Sequence, residues 1–142
     1  MKYLIFSFLC VLSLNLSAQN WQYNLDDAKT LAKDNSKQIL LVFSGSDWCA
    51  PCIKLEKKIW NSQTFQDYAE KNLVLLRADF PRLKKNKPSQ VQQTHNKFLA
   101  KNYNPKGYFP FVVLMDADGQ VLNQLGYKNF EPQDYINAIN AY

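Results

Sequence analysis

The chain has 142 residues, which suits a single domain with a hydrophobic core of its own. Hydrophobic residues make up 46% of the sequence and charged residues 20%, as is typical of a globular protein. The formal net charge of +5 is a mild basic excess without a basic stripe, and we therefore expect no nucleic-acid partner.

The first residues follow the pattern of a secretory signal peptide. A basic start at Lys2 precedes an apolar run over residues 3–14, and a small residue, Ala18, precedes polar Gln19. This pattern predicts a signal peptide at 1–18 and a mature domain at 19–142, in a periplasmic or otherwise exported protein. The alternative is a retained anchor, although the apolar run is shorter than the about 20 residues that span a bilayer.

Behind this segment the sequence alternates between helical and strand patterns. Asn24 and Ser62 are predicted helix caps, because such side chains accept hydrogen bonds from the first turn of a helix. Continuous apolar runs predict strands of a parallel sheet that is covered on both faces. The predicted helices lie at 24–36, 50–60, shortly after 62, at 91–101 and from about 131, and the predicted strands at 39–44, 73–79, 111–116 and 120–125.

A basic segment separates the second predicted strand from the fourth predicted helix. It carries four cations, which are Arg82, Lys84, Lys85 and Lys87. We interpret it as a solvated loop, with a contact to an acidic partner as the alternative. The helix that follows has apolar residues at Val91, Phe98 and Leu99.

Two cysteines stand where a buried strand is predicted to end and a helix to begin. Removal of the signal peptide would remove Cys10 and leave only Cys49 and Cys52. A disulfide between them closes a tiny loop and would stabilise the fold little, which favours a redox dithiol over a structural cross-link. The helix dipole favours a thiolate, and Pro51 fits the first turn. We expect Cys49 at the exposed tip as the attacking thiolate and Cys52 in the first turn as the resolving thiol.

The stretch from Asp47 to Cys52, with the sequence DWCAPC after an apolar strand, resembles the active site of the thioredoxin superfamily. The stretch from Ser44 to Cys49 resembles in particular bacterial secreted thioredoxin-like proteins. The likeness extends from about Leu25 to the C-terminus. It implies a single α/β domain of thioredoxin-like fold, with a central mixed β-sheet flanked by helices.

The resemblance also implies a substrate groove. In the family a cis-proline before the hairpin strand faces the cysteine pair and lets a substrate backbone pair with it, and Pro110 matches that position. Phe109 precedes it where the family often has threonine or valine, and this bulk could reshape the groove. Trp48 is a candidate flat rim for the substrate chain, with a packing role as the alternative.

Many members of the family keep a buried acid on the central strand behind the resolving cysteine. Here Phe43 takes roughly that position, and residues 39–43 contain no acid. The proton of Cys52 must then pass to water or to the nearby Asp47, which is our candidate proton acceptor.

Metal and haem chemistry find little support in the sequence. His95 is the only histidine, and with two cysteines it leaves a four-ligand zinc site incomplete. Ile53 follows Cys52 where covalent haem attachment needs histidine. We expect no cofactor and no metal, and His95 as a surface helix residue.

The sequence thus predicts an exported thiol–disulfide oxidoreductase that acts on protein disulfides. No histidine lies between the cysteines, so stabilisation of the thiolate is modest, which favours a reductase or isomerase over a strong oxidant. Such a protein needs a membrane thiol reductant as electron donor, and we expect it to be a monomer. The alternatives are a non-catalytic binding module that uses the groove at Trp48, Phe109 and Pro110, and a metal chaperone that uses Cys49 and Cys52.

Overall fold

The computed structural model describes residues 19–142, and the predicted signal peptide at 1–18 lies outside the described residues. Within this range no helix has the length and apolar character needed to cross a membrane. The elements in chain order are β1 (Trp21–Gln22), α1 (Leu25–Asn35), β2 (Gln38–Ser44), α2 (Ala50–Leu55), a π-helical turn (Glu56–Trp60), α3 (Gln63–Asn72), β3 (Leu73–Asp79), a 3-10 turn (Lys84–Asn86), α4 (Gln90–Tyr103), β4 (Phe111–Met115), β5 (Val121–Leu125) and α5 (Pro132–Ile139).

The strands form one mixed sheet in the order β1-β3-β2-β4-β5. β2 lies parallel to β3 and antiparallel to β4, and β4 pairs with β5 as the predicted hairpin. β1, which the sequence pattern did not predict, adds two residues parallel to the outer side of β3. The parallel strands β2 and β3 both end beside the turn that carries the cysteines, so the site lies at the carboxyl edge of the sheet.

Helices cover both faces of this sheet. One apolar cluster joins the sheet to α2, α3 and α5 around Trp60, Phe65 and Tyr135, all of which are fully buried. The other joins the opposite face to α1 and α4 around Phe43 and Leu99. Three layers packed in this way confirm the predicted α/β architecture with a mixed central sheet.

The predicted caps of two helices are confirmed. Asn24 Oδ1 accepts hydrogen bonds from the amides of Asp26 at 2.8 Å and Asp27 at 3.2 Å. Ser62 Oγ accepts one from the amide of Phe65 at 3.2 Å. These bonds satisfy amides that a helix leaves without partners in its first turn, which fixes where α1 and α3 begin.

Only one of the three apolar residues noted in the sequence of α4 lies on its inner face. Val91 is 81% exposed and Phe98 is 51% exposed, whereas Leu99 is buried. Asn96 occupies the inner face instead, because its side-chain amide donates to the carbonyl oxygen of Asp79 at 2.9 Å. A polar contact to the end of β3 thus takes the place of an apolar one, and two large apolar side chains remain in solvent.

Candidate active site

A tight turn connects β2 to α2 and holds the cysteines. The amides of Trp48 and Cys49 donate to the carbonyl oxygen of Gly45 at 3.2 and 2.9 Å. A Cβ atom at Gly45 would overlap the indole ring of Trp48. Glycine is therefore required here because the ring packs directly on the backbone of the turn.

Cys49 and Cys52 form a disulfide, with Cα atoms 5.2 Å apart. Cys49 caps α2, and its Sγ accepts a hydrogen bond from the amide of Cys52 at 3.3 Å. Pro51 lies in the first turn, where its missing N–H leaves no helical bond unmade. When the disulfide is reduced, the same amide can donate to a Cys49 thiolate, and the helix dipole favours the negative charge there.

The predicted contrast in exposure between the two cysteines is wrong for the disulfide form. Cys49 and Cys52 are each 4% exposed, so Cys49 is not an open tip. The reason is that its sulfur is bonded to Cys52 and directed at the first turn of α2. Reduction must free this sulfur before it can meet a large substrate.

An aromatic wall stands next to the dithiol. The ring of Phe109 lies 5.5 Å from that of Trp48 and 5.5 Å from that of Phe80, both edge to face. The Phe109–Pro110 peptide bond is cis, as predicted, and Pro110 is buried. The structure thus brings Trp48, Phe109 and Pro110 to the same edge of the sheet as the cysteines.

Asp47 is bound to the basic loop. Its Oδ1 accepts from the amide of Arg82 at 2.9 Å, and its Oδ2 accepts from the amide of Leu83 at 2.9 Å and from the side-chain amide of Asn86 at 3.0 Å. The bond from Arg82, followed by those from Asn86 and Leu83, lowers the pKa of Asp47. These three donors make the Asp47 carboxylate a weaker base, and its role as proton acceptor stays a prediction.

Cys52 also borders a groove of about 370 Å³. Glu56, one helical turn after Cys52, lines it together with Arg77 of β3, and Glu56 Oε2 lies 2.8 Å from Arg77 Nη2. The sequence interpretation missed this pair. Its signals were an acid four positions after Cys52 and a single arginine inside the apolar run of β3.

Phe43 is fully buried on the face of the sheet that α1 and α4 cover, 6.4 Å from the ring of Phe111. Strand β2 therefore contributes no carboxylate to the site, as its sequence indicates. The acid that lies closest along the helix to the resolving cysteine is Glu56.

His95 has a structural contact that the sequence did not suggest. Its Nε2 accepts a hydrogen bond from the amide of Leu25 at 3.1 Å, which ties α4 to the start of α1. Among residues 19–142 no group of three or more histidine, cysteine or acidic side chains could hold a metal ion.

A family model described as thioredoxin-like matches residues 20–117. The chain belongs to the thioredoxin-like family. The disulfide bond reductase DsbH of Chlamydia pneumoniae is 32% identical to it over 127 residues, which are 89% of this chain and 75% of that protein. A solved structure of a DsbH oxidoreductase superimposes with a TM-score of 0.77 at 31% identity, over 89% of this chain and 88% of the other.

The thioredoxin-related protein DsbJ of Chlamydia pneumoniae is a more distant relative, 25% identical over 107 residues. The match covers 75% of this chain and only 30% of DsbJ. Family, fold and the Cys49–Cys52 pair together make this protein a thiol–disulfide oxidoreductase of thioredoxin-like fold.

Proposed function

We propose that the protein is an exported protein-disulfide reductase in which Cys49 is the nucleophile and Cys52 the resolving thiol. The observation that carries this proposal is the 3.3 Å bond from the Cys52 amide to Cys49 Sγ at the start of α2. It gives the Cys49 sulfur, and not that of Cys52, a donor that can stabilise a thiolate.

The reaction balances as two exchanges. The Cys49 thiolate attacks one sulfur of a substrate disulfide, a mixed disulfide forms, and the other substrate sulfur leaves as a thiolate. Cys52 then loses its proton and attacks the Cys49 sulfur, which releases the second substrate thiolate. Two electrons pass to the substrate, and the Cys49–Cys52 disulfide forms, which a dithiol donor must reduce before the next turnover.

The aromatic wall and the buried Pro110 support a substrate groove next to the dithiol. A peptide that approaches Cys49 would meet the rings of Trp48 and Phe109, which are 5.5 Å apart. Flat side chains at such a position bind different sequences by apolar contact, which suits a protein that accepts several substrates.

One observation favours reduction over isomerisation, and a second argues against a strong oxidant. The relative that is 32% identical is named a disulfide bond reductase. The residues between the cysteines, Ala50 and Pro51, add no charge that would strongly stabilise the reduced form, as a strong oxidant requires. The electron donor in this proposal is a membrane thiol reductant, and the protein works as a monomer.

Export is proposed from the sequence of residues 1–18, with cleavage after Ala18. The side-chain amide of Gln19 donates to the carbonyl oxygen of Trp60 at 2.6 Å, so cleavage after Ala18 would keep this contact within the mature domain. Mass spectrometry of the protein recovered from the cell envelope should give a mass that begins at Gln19. An intact Met1 on that material would contradict export by cleavage.

Reductase activity is tested by the turbidity of insulin in the presence of dithiothreitol. Residues 19–142 should accelerate precipitation, and Cys49→Ser should abolish the acceleration. In a separate reaction, Cys52→Ser that has been reduced and freed of dithiothreitol should accumulate a mixed disulfide with insulin, visible on a non-reducing gel, because the resolving thiol is missing. Trapping by Cys49→Ser but not by Cys52→Ser would reverse the two roles.

A separate assay distinguishes the reductase from an isomerase. Scrambled ribonuclease should recover little activity with this protein, because a reductase releases reduced chains and does not return correct pairs. Full recovery of ribonuclease activity at the rate of insulin reduction would favour the isomerase.

A further inference from the structure

The loop between β3 and α4 concentrates positive charge that no ion pair neutralises. Residues 80–89 contain no acid, and their four cations are exposed, namely Arg82, Lys84, Lys85 and Lys87. None of the ion pairs formed within residues 19–142 involves this loop. The formal charge of the whole chain is only +5, so this short segment carries a large part of the excess.

This basic loop is fastened to the two residues that precede the nucleophile. The carboxylate of Asp47 holds its backbone through the amides of Arg82 and Leu83. The indole of Trp48 donates to the carbonyl oxygen of Phe80 at 2.8 Å. Because each bond joins the loop to the turn that holds the cysteines, the backbone of the loop has a fixed place beside the dithiol.

Arg82 links the charge to the aromatic wall. Its guanidinium carbon lies 4.0 Å from the centre of the Trp48 ring. A guanidinium that stacks on an aromatic face keeps its N–H edge free for a carboxylate. A substrate chain that contacts Trp48 would therefore meet Arg82 first and the lysines of the 3-10 turn next to it.

We propose that the basic loop selects disulfide substrates that carry acidic residues beside the reacting cysteine, an inference that rests on the proposed reductase function. Like charges repel and opposite charges attract over about 8–10 Å at physiological salt, so the loop acts during the encounter with the substrate. The partner is an acidic polypeptide, since the cations border the surface where the substrate disulfide has to reach Cys49.

The test compares peptides that contain one internal disulfide and differ only in the residues that flank it, which are glutamate, glutamine or lysine. The protein of residues 19–142 should reduce the acidic peptide with a kcat/KM about tenfold above that of the basic peptide at about 0.01 M salt. This ratio should fall toward one at about 1 M salt, where the screening length is short.

Two variants with the same change of net charge distinguish the effect of the loop on substrate preference from the effect of the overall charge. Lys84→Glu/Lys85→Glu should bring the ratio of acidic to basic peptide to one or below. Lys37→Glu/Lys71→Glu is the matched control, because these lysines precede β2 and β3 at the opposite end of the sheet. The control should keep at least half of the wild-type ratio.

The outcomes distinguish the two proposals. A protein that reduces none of the peptides contradicts the reductase function itself. A protein that reduces all three equally, or a control that loses the preference as fully as the loop variant, overturns the selection by the loop. The protein could also reduce all three peptides equally and sediment with phosphatidylglycerol vesicles only when the loop lysines are present. That result would overturn the selection of substrates by the loop in favour of a membrane contact.

Discussion

Glu56 Oε2 lies 2.8 Å from Nη2 of Arg77, and both residues line the groove that Cys52 also borders. Among the described residues that line this groove, Glu56 supplies the only carboxylate. Cys52 has to lose its proton before it can attack the mixed disulfide, and β2 offers no acid to receive it. We expect Glu56 to accept this proton, directly or through one water molecule.

Glu56→Gln should therefore slow the release of a trapped peptide from Cys49 by at least about tenfold at neutral pH. The measurement is a single-turnover reaction followed from pH 6 to pH 9. In the variant the rate should keep rising with pH, since only hydroxide and water remain to take the proton. Arg77→Gln is the control, because it breaks the same ion pair and keeps the carboxylate. Identical pH profiles for wild type and Glu56→Gln would remove Glu56 from the reaction.

Asp47→Ala should loosen the basic loop and destabilise the fold in a pH-dependent way. The folded protein holds the pKa of Asp47 below its ordinary value, chiefly through the amide of Arg82. The carboxylate thus contributes stability above the unfolded pKa of about 3.9, and this contribution is lost as pH falls through the folded value.

Urea unfolding of wild type and of Asp47→Ala measures how the stability contributed by Asp47 depends on pH. The difference in free energy of unfolding should be constant between about pH 5 and 7 and shrink below about pH 4. Hydrogen exchange of the Arg82 and Leu83 amides should accelerate in the variant. A difference that grows toward low pH would mean that Asp47 does not act as a charged acceptor.

Gly45→Ala should displace the indole of Trp48, because the new methyl group overlaps the ring. We expect a loss of about 1–3 kcal/mol in the free energy of unfolding and a lower kcat/KM for peptide disulfides. Gly126→Ala is the matched control, since its Cβ would have no neighbour within 4 Å. Equal effects of both variants on stability and on tryptophan fluorescence would contradict the contact.

Tyr135→Phe should stabilise the protein. The Tyr135 hydroxyl is buried without a hydrogen-bond partner in the described part of the chain, and burial raises its pKa far above the ordinary value. Removal of an unpaired buried hydroxyl should raise the free energy of unfolding by about 1 kcal/mol.

Tyr68→Phe is the comparison for this effect. The Tyr68 hydroxyl is bonded to Asn140 at 3.0 and 2.8 Å, so its removal should lower the free energy of unfolding by about 0.5–1.5 kcal/mol. Thermal or urea unfolding measures both. Destabilisation by Tyr135→Phe equal to that of Tyr68→Phe would show that Tyr135 has a partner, such as a buried water.

Local sequence signals predicted most of the fold. The predicted and observed bounds of β3 are the same, because residues 73–79 form one largely apolar run between a helix and a polar loop. The caps at Asn24 and Ser62 were predictable because side-chain capping depends only on neighbours in the chain. The redox cysteine pair was predicted from its place between a strand and a helix, and the cis bond at Pro110 from the family resemblance.

The rest depends on contacts between distant residues. β1 has two residues and no periodicity, and it is a strand only because β3 lies beside it. Asn96 faces inward because a carbonyl of β3 is there to receive its amide. The direction of the Asp47 side chain, and the pairing of Glu56 with Arg77, follow from how the loop and α2 lie over the sheet, which no local pattern records.

The borders of the sheet have a consequence for how copies of this protein meet in a concentrated solution. One outer strand, β1, has only two residues, and the other, β5, is five residues long with an irregularity in its pairing to β4 at Leu114 and Met115. Sheets recruit further chains through long, regular outer strands with free N–H and C=O groups. These borders offer a poor template for such growth, so copies of this protein are not expected to join strand to strand even at high concentration.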